Sequence, residues 1–382
     1  GALFGSIPTD KFGRKKTLIA IGILYVVGSL GSALVHDPYS FACFRFIGGL
    51  GVGASTIAAP AYVTEISPAD KRGRLVAMYQ FNIVFGILIA YLSNFIFSNL
   101  DLGANTWRWM LGVQVVPAAI YTLMVLGIPM SPRWLVMKGR IEDARKVLAV
   151  INPEADINEL VASAQKDGGK KESLLLKKYR LPVLLAFLIA FFNQMSGINA
   201  FLYYAPRIFE IAGLEKSSAL LSSVGIGVVN LIFTFVGLSL IDKFGRRQLM
   251  YIGSFGYIVS LGLVSLSFFL GWKGMMVPLF FFLFIAAHAV GQGTVIWVFI
   301  SEIFPSHLRA QGQALGSSTH WVLAAAIPAA IPYLFDEIGA SWVFACFTAM
   351  MVLQLVFVMF MMPETKGVPL EELSKSLIKE ES

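Results

Sequence analysis

Asp10-Lys11-Phe12-Gly13-Arg14 recurs 232 residues later as Asp242-Lys243-Phe244-Gly245-Arg246. Two further pairs keep almost the same offset. Glu65-Ile66-Ser67-Pro68, followed by Arg72, returns as Glu302-Ile303-Phe304-Pro305, followed by Arg309, at 237. Pro129-Met130-Ser131 returns as Pro363-Glu364-Thr365 at 234. Three motifs in one order at nearly one spacing predict a duplicated architecture.

What lies between the motifs sets its class. Apolar residues make up 57% of the chain and charged residues 14%, against roughly 25% charged in ordinary soluble domains. The apolar residues come in long blocks; 181–192 and 275–287 hold no ionisable group. A helix needs about 20 mostly apolar residues to cross a bilayer, and ten blocks qualify: 17–34, 41–63, 75–97, 109–129, 181–211, 218–241, 248–270, 276–304, 313–334 and 342–362. An all-α polytopic membrane bundle is expected. If the loop at 10–16 is cytoplasmic, 25 of the 30 Lys and Arg face inward. Arg108, Lys216 and Lys273 fall outside, and Arg45 and Arg207 lie within or near spans. That is the positive-inside pattern, so the net charge of +7 reports topology, not nucleic-acid binding. Loops at 10–16, 64–74, 131–180, 242–247 and 305–312, with the C-terminus, are expected to be cytoplasmic at a plasma (inner) membrane. Cys43 and Cys346 sit in apolar blocks, so neither a disulfide framework nor a metal cluster is expected, and no signal peptide is read.

The organisation that follows is a half-bundle over 1–130, a helical linker domain over 131–180, a second half-bundle over 181–363 and a tail over 364–382. Residues 141–148 have helical periodicity, Asn152-Pro153 resembles a helix start, and residues 167–171 predict a flexible point. Parallel halves about an axis along the membrane normal are an established transporter plan, with substrate bound between them near mid-membrane.

The motifs extend beyond the repeat. The first half carries Asp10 to Lys16, Pro60-Ala61-Tyr62-Val63-Thr64-Glu65, Arg72-Gly73-Arg74, Trp107-Arg108-Trp109 and Pro129-Met130-Ser131-Pro132-Arg133-Trp134. The second carries Asn193-Gln194-Met195-Ser196-Gly197-Ile198-Asn199, Tyr203-Tyr204, Asp242 to Arg247, Trp297 to Glu302 and Pro363-Glu364-Thr365-Lys366-Gly367. Together they resemble the sugar-porter branch of the major facilitator superfamily, close to bacterial sugar–proton symporters and facilitative glucose transporters. Against that family's twelve spans the chain shows ten and a stub, so the first span and most of the second are expected to lie outside it. An acidic residue on that first span commonly carries the proton in coupled members.

The resemblance implies a cytoplasmic salt-bridge latch. It would contain Asp10, Arg14, Glu65, Arg72 and Arg133 in one half, and Asp242, Arg246, Arg247, Glu302, Arg309 and Glu364 in the other. In the family it stabilises the outward-open state. Gly13 and Gly245 suit tight turns, and Arg can grip carboxylates bidentately; the alternative is solvated loop charge. Met130 departs from the family's acid there, which predicts a weaker outward preference, and Ser6 replaces a helix-contact glycine.

A sugar needs neutral amides, which both donate and accept, and aromatic surface. Polar side chains inside spans are functional candidates because burial there is costly. Gly197 can unwind the span at 181–211 so that Asn193, Gln194 and Asn199 converge. With Gln80, Asn230, His288, Trp297, His320 and Trp321 these form the expected sugar site, and Tyr203 and Tyr204 the outer gate. The alternative for the amides is interhelical hydrogen bonding. Asn193 replaces a Gln, His320 an amide, Ala324 an Asn, His288 an aromatic and Ala289 the acid of uniporters. The stretch 291–296 lacks the usual prolines, so its bend falls to glycine. Two pocket histidines predict affinity that changes with pH near about 6.5.

Arg45, within the span at 41–63, matches an Arg that pairs with the first-span acid in symporters, giving it a coupling role. The expected function is carriage of a monosaccharide or polyol by alternating access with protons, in a lipid bilayer, as a monomeric unit. No nucleophile–base pair or cofactor motif is read, so no enzyme chemistry or cofactor is expected. A uniporter, a non-transporting sugar sensor and a drug exporter are the alternatives. The short tail argues against the sensor and the amide-rich broken span against the exporter.

Overall fold

The computed structural model describes residues 1–67, 72–100, 102–151, 153, 157–158, 160–162, 173–174, 176–305, 308–368 and 376–377. Asn152, residues 167–171 and most of the expected tail lie outside that set, as do the side chains of Arg72 and Arg74. All regular structure among the described residues is helical. The chain divides into two compact units, residues 1–80 with 96–171, and residues 81–95 with 172–382.

The first unit contains α1 (Ser6–Phe12), α2 (Arg14–Leu34), α3 (Pro38–Ile66), the two ends of α4 (Arg72–Ser98), α5 (Thr106–Gly112), α6 (Val115–Gly127), α7 (Pro132–Met137) and α8 (Ile141–Ile151). Apolar composition forces the helical choice, because a bilayer offers no partner for an open backbone. Local signals set the ends. Asp37 accepts the Ser40 N–H at 2.8 Å ahead of Pro38, and Ser131 accepts the Trp134 N–H at 3.1 Å ahead of Pro132. Both are N-caps followed by proline at the first helical position. Arg108 donates to the carbonyls of Ala33 and Val35 at 2.8 and 2.7 Å, closing the C-terminus of α2. α2 lies against α3 at Gly28 and Gly48; a Cβ on Gly28 would stand 2.7 Å from the Gly48 Cα. Small residues let membrane helices approach in this way. α7 and α8 share a separate buried cluster of Trp134, Leu135, Ala144 and Ile157.

The second unit contains the middle of α4, α9 (Arg180–Met195), α10 (Ile198–Ile211), α11 (Lys216–Phe244), α12 (Arg246–Leu270), α13 (Met276–Val290), α14 (Gln292–Glu302) and α15 (Arg309–Phe360). One buried cluster, including Leu185, Ile189, Leu249, Met250, Val295, Phe299 and Phe304, joins α9, α12 and α14. A second is aromatic: Phe201 and Phe281 stack at 3.9 Å between centroids, with Phe209, Phe284 and Tyr257 around them. Each fully buried side chain of this size contributes about 1.5–3 kcal/mol in a soluble reference. In lipid, packing and shape supply the preference instead.

Two spans are broken where the sequence has glycine. Gly197 adopts φ 77° and ψ 12° between α9 and α10, and Gly291 adopts φ −87° and ψ −101° between α13 and α14. Among the described residues, nine helical stretches are long and apolar enough to cross a membrane. The expected blocks 313–334 and 342–362 lie on either side of Gly339, whose non-helical φ 81° and ψ 155° divide α15 into two helices just after Asp336 and Glu337. The outward faces carry large apolar side chains such as Leu123, Met124 and Phe269, the surface a lipid contact requires.

Candidate transport site

Within the second unit the break at Gly197 gathers the amides. Gln194 donates through Nε2 to Asn193 Oδ1 at 2.9 Å and to His320 Nδ1 at 3.0 Å, and its Oε1 accepts Asn199 Nδ2 at 2.9 Å. Asn193 and Gln194 are buried, and Asn199 lies just past the break. Trp297 of α14 has its ring 5.5 Å from the His320 ring, whose own neighbour Trp321 is edge-on at 5.2 Å. Four helices, α9, α10, α14 and α15, thus bring five of the expected residues together: Asn193, Gln194, Asn199, Trp297 and His320. A Cβ at Gly197 would stand 2.6 Å from the Phe347 ring, so only glycine fits both the backbone angle and the space.

The amides are not equally free. Gln194 has both its protons and an oxygen lone pair engaged inside the protein. Among the described residues, no hydrogen-bond partner meets Asn193 Nδ2, Asn199 Oδ1 or the Asn230 carboxamide, although Asn230 is buried on α11. Polar groups left unpaired at membrane depth are costly. The contact with His320 draws that imidazole into the amide network. His288 pairs with the Tyr257 hydroxyl at 2.5 Å.

Other expected residues are placed as follows. Gln80 is half-buried on α4 in the first unit. Tyr203 is exposed and Tyr204 half-buried on α10; the Tyr91 hydroxyl donates to the Leu202 carbonyl beside them at 2.6 Å. Arg45 is exposed on α3.

The repeated charged motifs build two matching networks. In the first unit Arg14 contacts Glu65 at 2.9 Å and Asp10 at 3.1 Å, and the Ser131 hydroxyl donates to Glu65 at 2.5 Å. In the second, Arg246 contacts Glu302 at 2.7 Å and Asp242 at 3.3 Å, and the Thr365 hydroxyl donates to Glu302 at 2.6 Å. Gly13 and Gly245 share one conformation, φ 93° and ψ 156° against φ 90° and ψ 169°. The two Glu side chains are 10% and 19% exposed, whereas Asp10 and Asp242 are 65% and 83% exposed. Exposed pairs contribute little, so the Arg–Glu pairs dominate.

The halves differ at one residue. Glu364 accepts the backbone N–H groups of Arg246 and Arg247 at 2.9 and 3.0 Å, and those of Thr365 and Lys366 at 2.9 Å each. It closes the N-terminus of α12. Met130 holds the matching place before α2, beside Gly13, Arg14, Lys15, Ser131 and Trp134. Arg247 departs from the expected carboxylate pairing, since its guanidinium instead donates to the Val358 and Met359 carbonyls at 3.1 and 2.6 Å. Those groups end a helix and have no intrahelical donor. Arg309 has no hydrogen-bond partner at Nε or Nη2 among the described residues, so no carboxylate meets it there. Arg133 is half-buried on α7.

Ser131 and Thr365 were not among the residues singled out from sequence, although the 234-residue offset aligns them. Gln292, Gln354 and Ser254, buried between α14, α15 and α12, also carried no sequence signal.

Comparison with known proteins agrees with this arrangement. The model of the family described as "Sugar (and other) transporter" matches residues 1–377. The putative metabolite transport protein YwtG of Bacillus subtilis strain 168 is 37% identical, over 99% of this chain and 84% of its own length. The arabinose-proton symporter of the same organism is 35% identical, over 97% of this chain and 82% of its own. Among solved structures, the partially occluded inward open conformation of the xylose transporter XylE from E. coli superimposes with a TM-score of 0.84. It is 28% identical and covers 96% of this chain and 85% of XylE. Sequence match, helical architecture and duplicated charged turns agree: the chain belongs to the sugar (and other) transporter family, and is a multi-pass membrane protein with the major facilitator fold.

Proposed function

We propose that this protein carries a monosaccharide or polyol across the membrane together with a proton, by alternating access of two half-bundles over 1–130 and 181–363. The observation that carries the reading is the amide cluster at the Gly197 break. It offers Asn193 Nδ2 and Asn199 Oδ1, a donor and an acceptor without a partner among the described residues, in the cluster that includes Trp297; Asn230 on α11 is a further amide without one among them. Neutral paired donors and acceptors next to an indole face match a polyhydroxylated ring with one apolar side. The relatives that transport arabinose and xylose support the substrate class.

His320 has the role of orienting Gln194, Trp321 completes the site, and Gln80 is a sugar-contact candidate of the first unit. Tyr203 and Tyr204 act as the outer gate. Arg45 belongs to the proton path, with a carboxylate as its partner. The Arg14–Glu65 and Arg246–Glu302 networks are the cytoplasmic latch, in loops that face the inside of the plasma (inner) membrane. Arg72, Arg133 and Arg309 belong to the same latch in this reading. Transport of this kind makes and breaks no covalent bond in the sugar, so the protein is not an enzyme.

Uptake of radiolabelled D-xylose, L-arabinose and D-glucose into proteoliposomes, with and without a protonophore, tests the proposal. Saturable accumulation that collapses with the protonophore is expected. Equilibration unaffected by it replaces symport with uniport, and no saturable uptake of any sugar rejects the reading.

A further inference from the structure

We infer that Gln292, acting through Gln354 and Ser254, is a positioning residue that holds the helix break at Gly291 and so sets Trp297 against the amide cluster. All three side chains are completely buried in the second unit. Gln292 Nε2 donates to Gln354 Oε1 at 2.9 Å and to the Ile189 carbonyl at 3.3 Å. Gln354 Nε2 donates to Ser254 Oγ at 2.8 Å, and Ser254 Oγ donates to the Met250 carbonyl at 2.7 Å. One continuous chain of hydrogen bonds therefore crosses from α9 through α14 and α15 to α12.

Its ends fall beside the site. Ile189 lies one helical turn before Asn193 on α9, and Gln292 lies five residues before Trp297 on α14. The helix bearing the indole is thus tied to the helix bearing the amides. A second feature pins the same point. Gly253 and Gly291, the neighbours of Ser254 and Gln292, are so close that a Cβ on Gly291 would stand 2.8 Å from the Gly253 Cα. Backbone contact supplies a fulcrum, and the side-chain chain supplies the tether.

Energy argues that the arrangement is more than packing. Gln292 Oε1 has no hydrogen-bond partner among the described residues. A fully buried amide with an orphaned oxygen is a costly way to fill space, and a Met of similar length would fill it without that cost. Retaining Gln here makes sense where its directional bonds set geometry. The inference rests on the proposed sugar site for its effect on binding, but not for its effect on the break itself.

The test uses the full chain in lipid nanodiscs with Gln292→Met, Gln354→Met, the double variant and the milder Ser254→Ala. Two readouts are taken well below the unfolding midpoint. Hydrogen exchange across residues 288–297 should rise about tenfold in Gln292→Met and in the double variant, with exchange elsewhere unchanged. D-xylose binding should weaken about tenfold in the same two proteins, as expected for one lost orienting interaction. Ser254→Ala, at the far end of the chain, should give a smaller change of the same kind. Because the double variant leaves no orphaned amide, it should regain thermal stability over the single variants without regaining affinity. If affinity returns with stability, the cluster is structural glue and the inference fails. Unchanged exchange at 288–297 also overturns it, whether or not sugar binds. If the parent protein binds none of the sugars while exchange responds as stated, the substrate reading fails and the positioning of the break stands.

Discussion

Replacing Met130 by Glu should stabilise the first unit, because the second unit shows what a carboxylate does at the matching place. There Glu364 accepts four backbone N–H groups at 2.9–3.0 Å where α12 begins. A carboxylate at a partly buried helix N-terminus contributes from about 0.3 to 2 kcal/mol through the helix dipole, and charged hydrogen bonds raise the value of each contact. Glu364→Met should therefore cost about 2–3 kcal/mol. Met130→Glu should gain about 1 kcal/mol, since the incoming carboxylate also displaces a side chain packed against Trp134. At about 2.1 cal/mol/K per residue, 382 residues give an unfolding entropy near 0.8 kcal/mol/K. The midpoint should then fall by roughly 2.5–4 °C in Glu364→Met and rise by roughly 1 °C in Met130→Glu. Thermal unfolding in detergent, followed by tryptophan fluorescence, reads both. Labelling of a cysteine introduced on the cytoplasmic side reads the associated shift, with slower labelling in Met130→Glu. A Met130→Glu protein no more stable than the parent, beside a clearly weakened Glu364→Met, would refute the equivalence of the two turns.

The two acids of each network should respond very differently. Glu302→Gln leaves Arg246 without its buried partner and should cost about 2–4 kcal/mol, while Asp242→Asn, at an exposed carboxylate, should cost under about 1 kcal/mol; chemical unfolding of the two variants gives the comparison. Gly197→Ala should lose about 1–3 kcal/mol, from the left-handed backbone and the Phe347 ring at 2.6 Å, and should abolish D-xylose binding measured by scintillation proximity. The Asp37 carboxylate is held below its ordinary pKa by the Ser40 N–H. Its cap is complete above the unfolded-state value and is lost as pH falls through the lower folded value. Asp37→Asn should remove that acid-side loss, read as the midpoint against pH.

The class and the plan of the molecule were legible along the chain, because membrane helices follow from local composition alone. Apolar blocks of span length, the asymmetric Lys and Arg, and the DKFGR repeat all act within a few residues of themselves. The breaks at Gly197, Gly245 and Gly13 were legible for the same reason, since a glycine's freedom is a property of one residue. Even the Arg–Glu pairing was implied by the resemblance of these motifs to the sugar porters, and Ser131 with Thr365 was within reach through the 234-residue offset.

What sequence could not supply was any feature made by residues distant in the chain that meet only through packing. Nothing near Gln194 indicates that His320, 126 residues on, occupies its amide, or that His288 pairs with Tyr257. Arg247 and Arg309 looked alike as cations near acids, yet one caps the carbonyls at the end of α15 and the other has nitrogens with no hydrogen-bond partner among the described residues. Gln292, Gln354 and Ser254 looked like scattered polar residues in apolar blocks. Sequence alone determined a duplicated sugar-porter bundle with an amide-bearing broken span, since those depend on local composition and order. Only the tertiary structure decided which amides are already satisfied and which remain open for a ligand, since a hydrogen bond depends on where its partner lies in space.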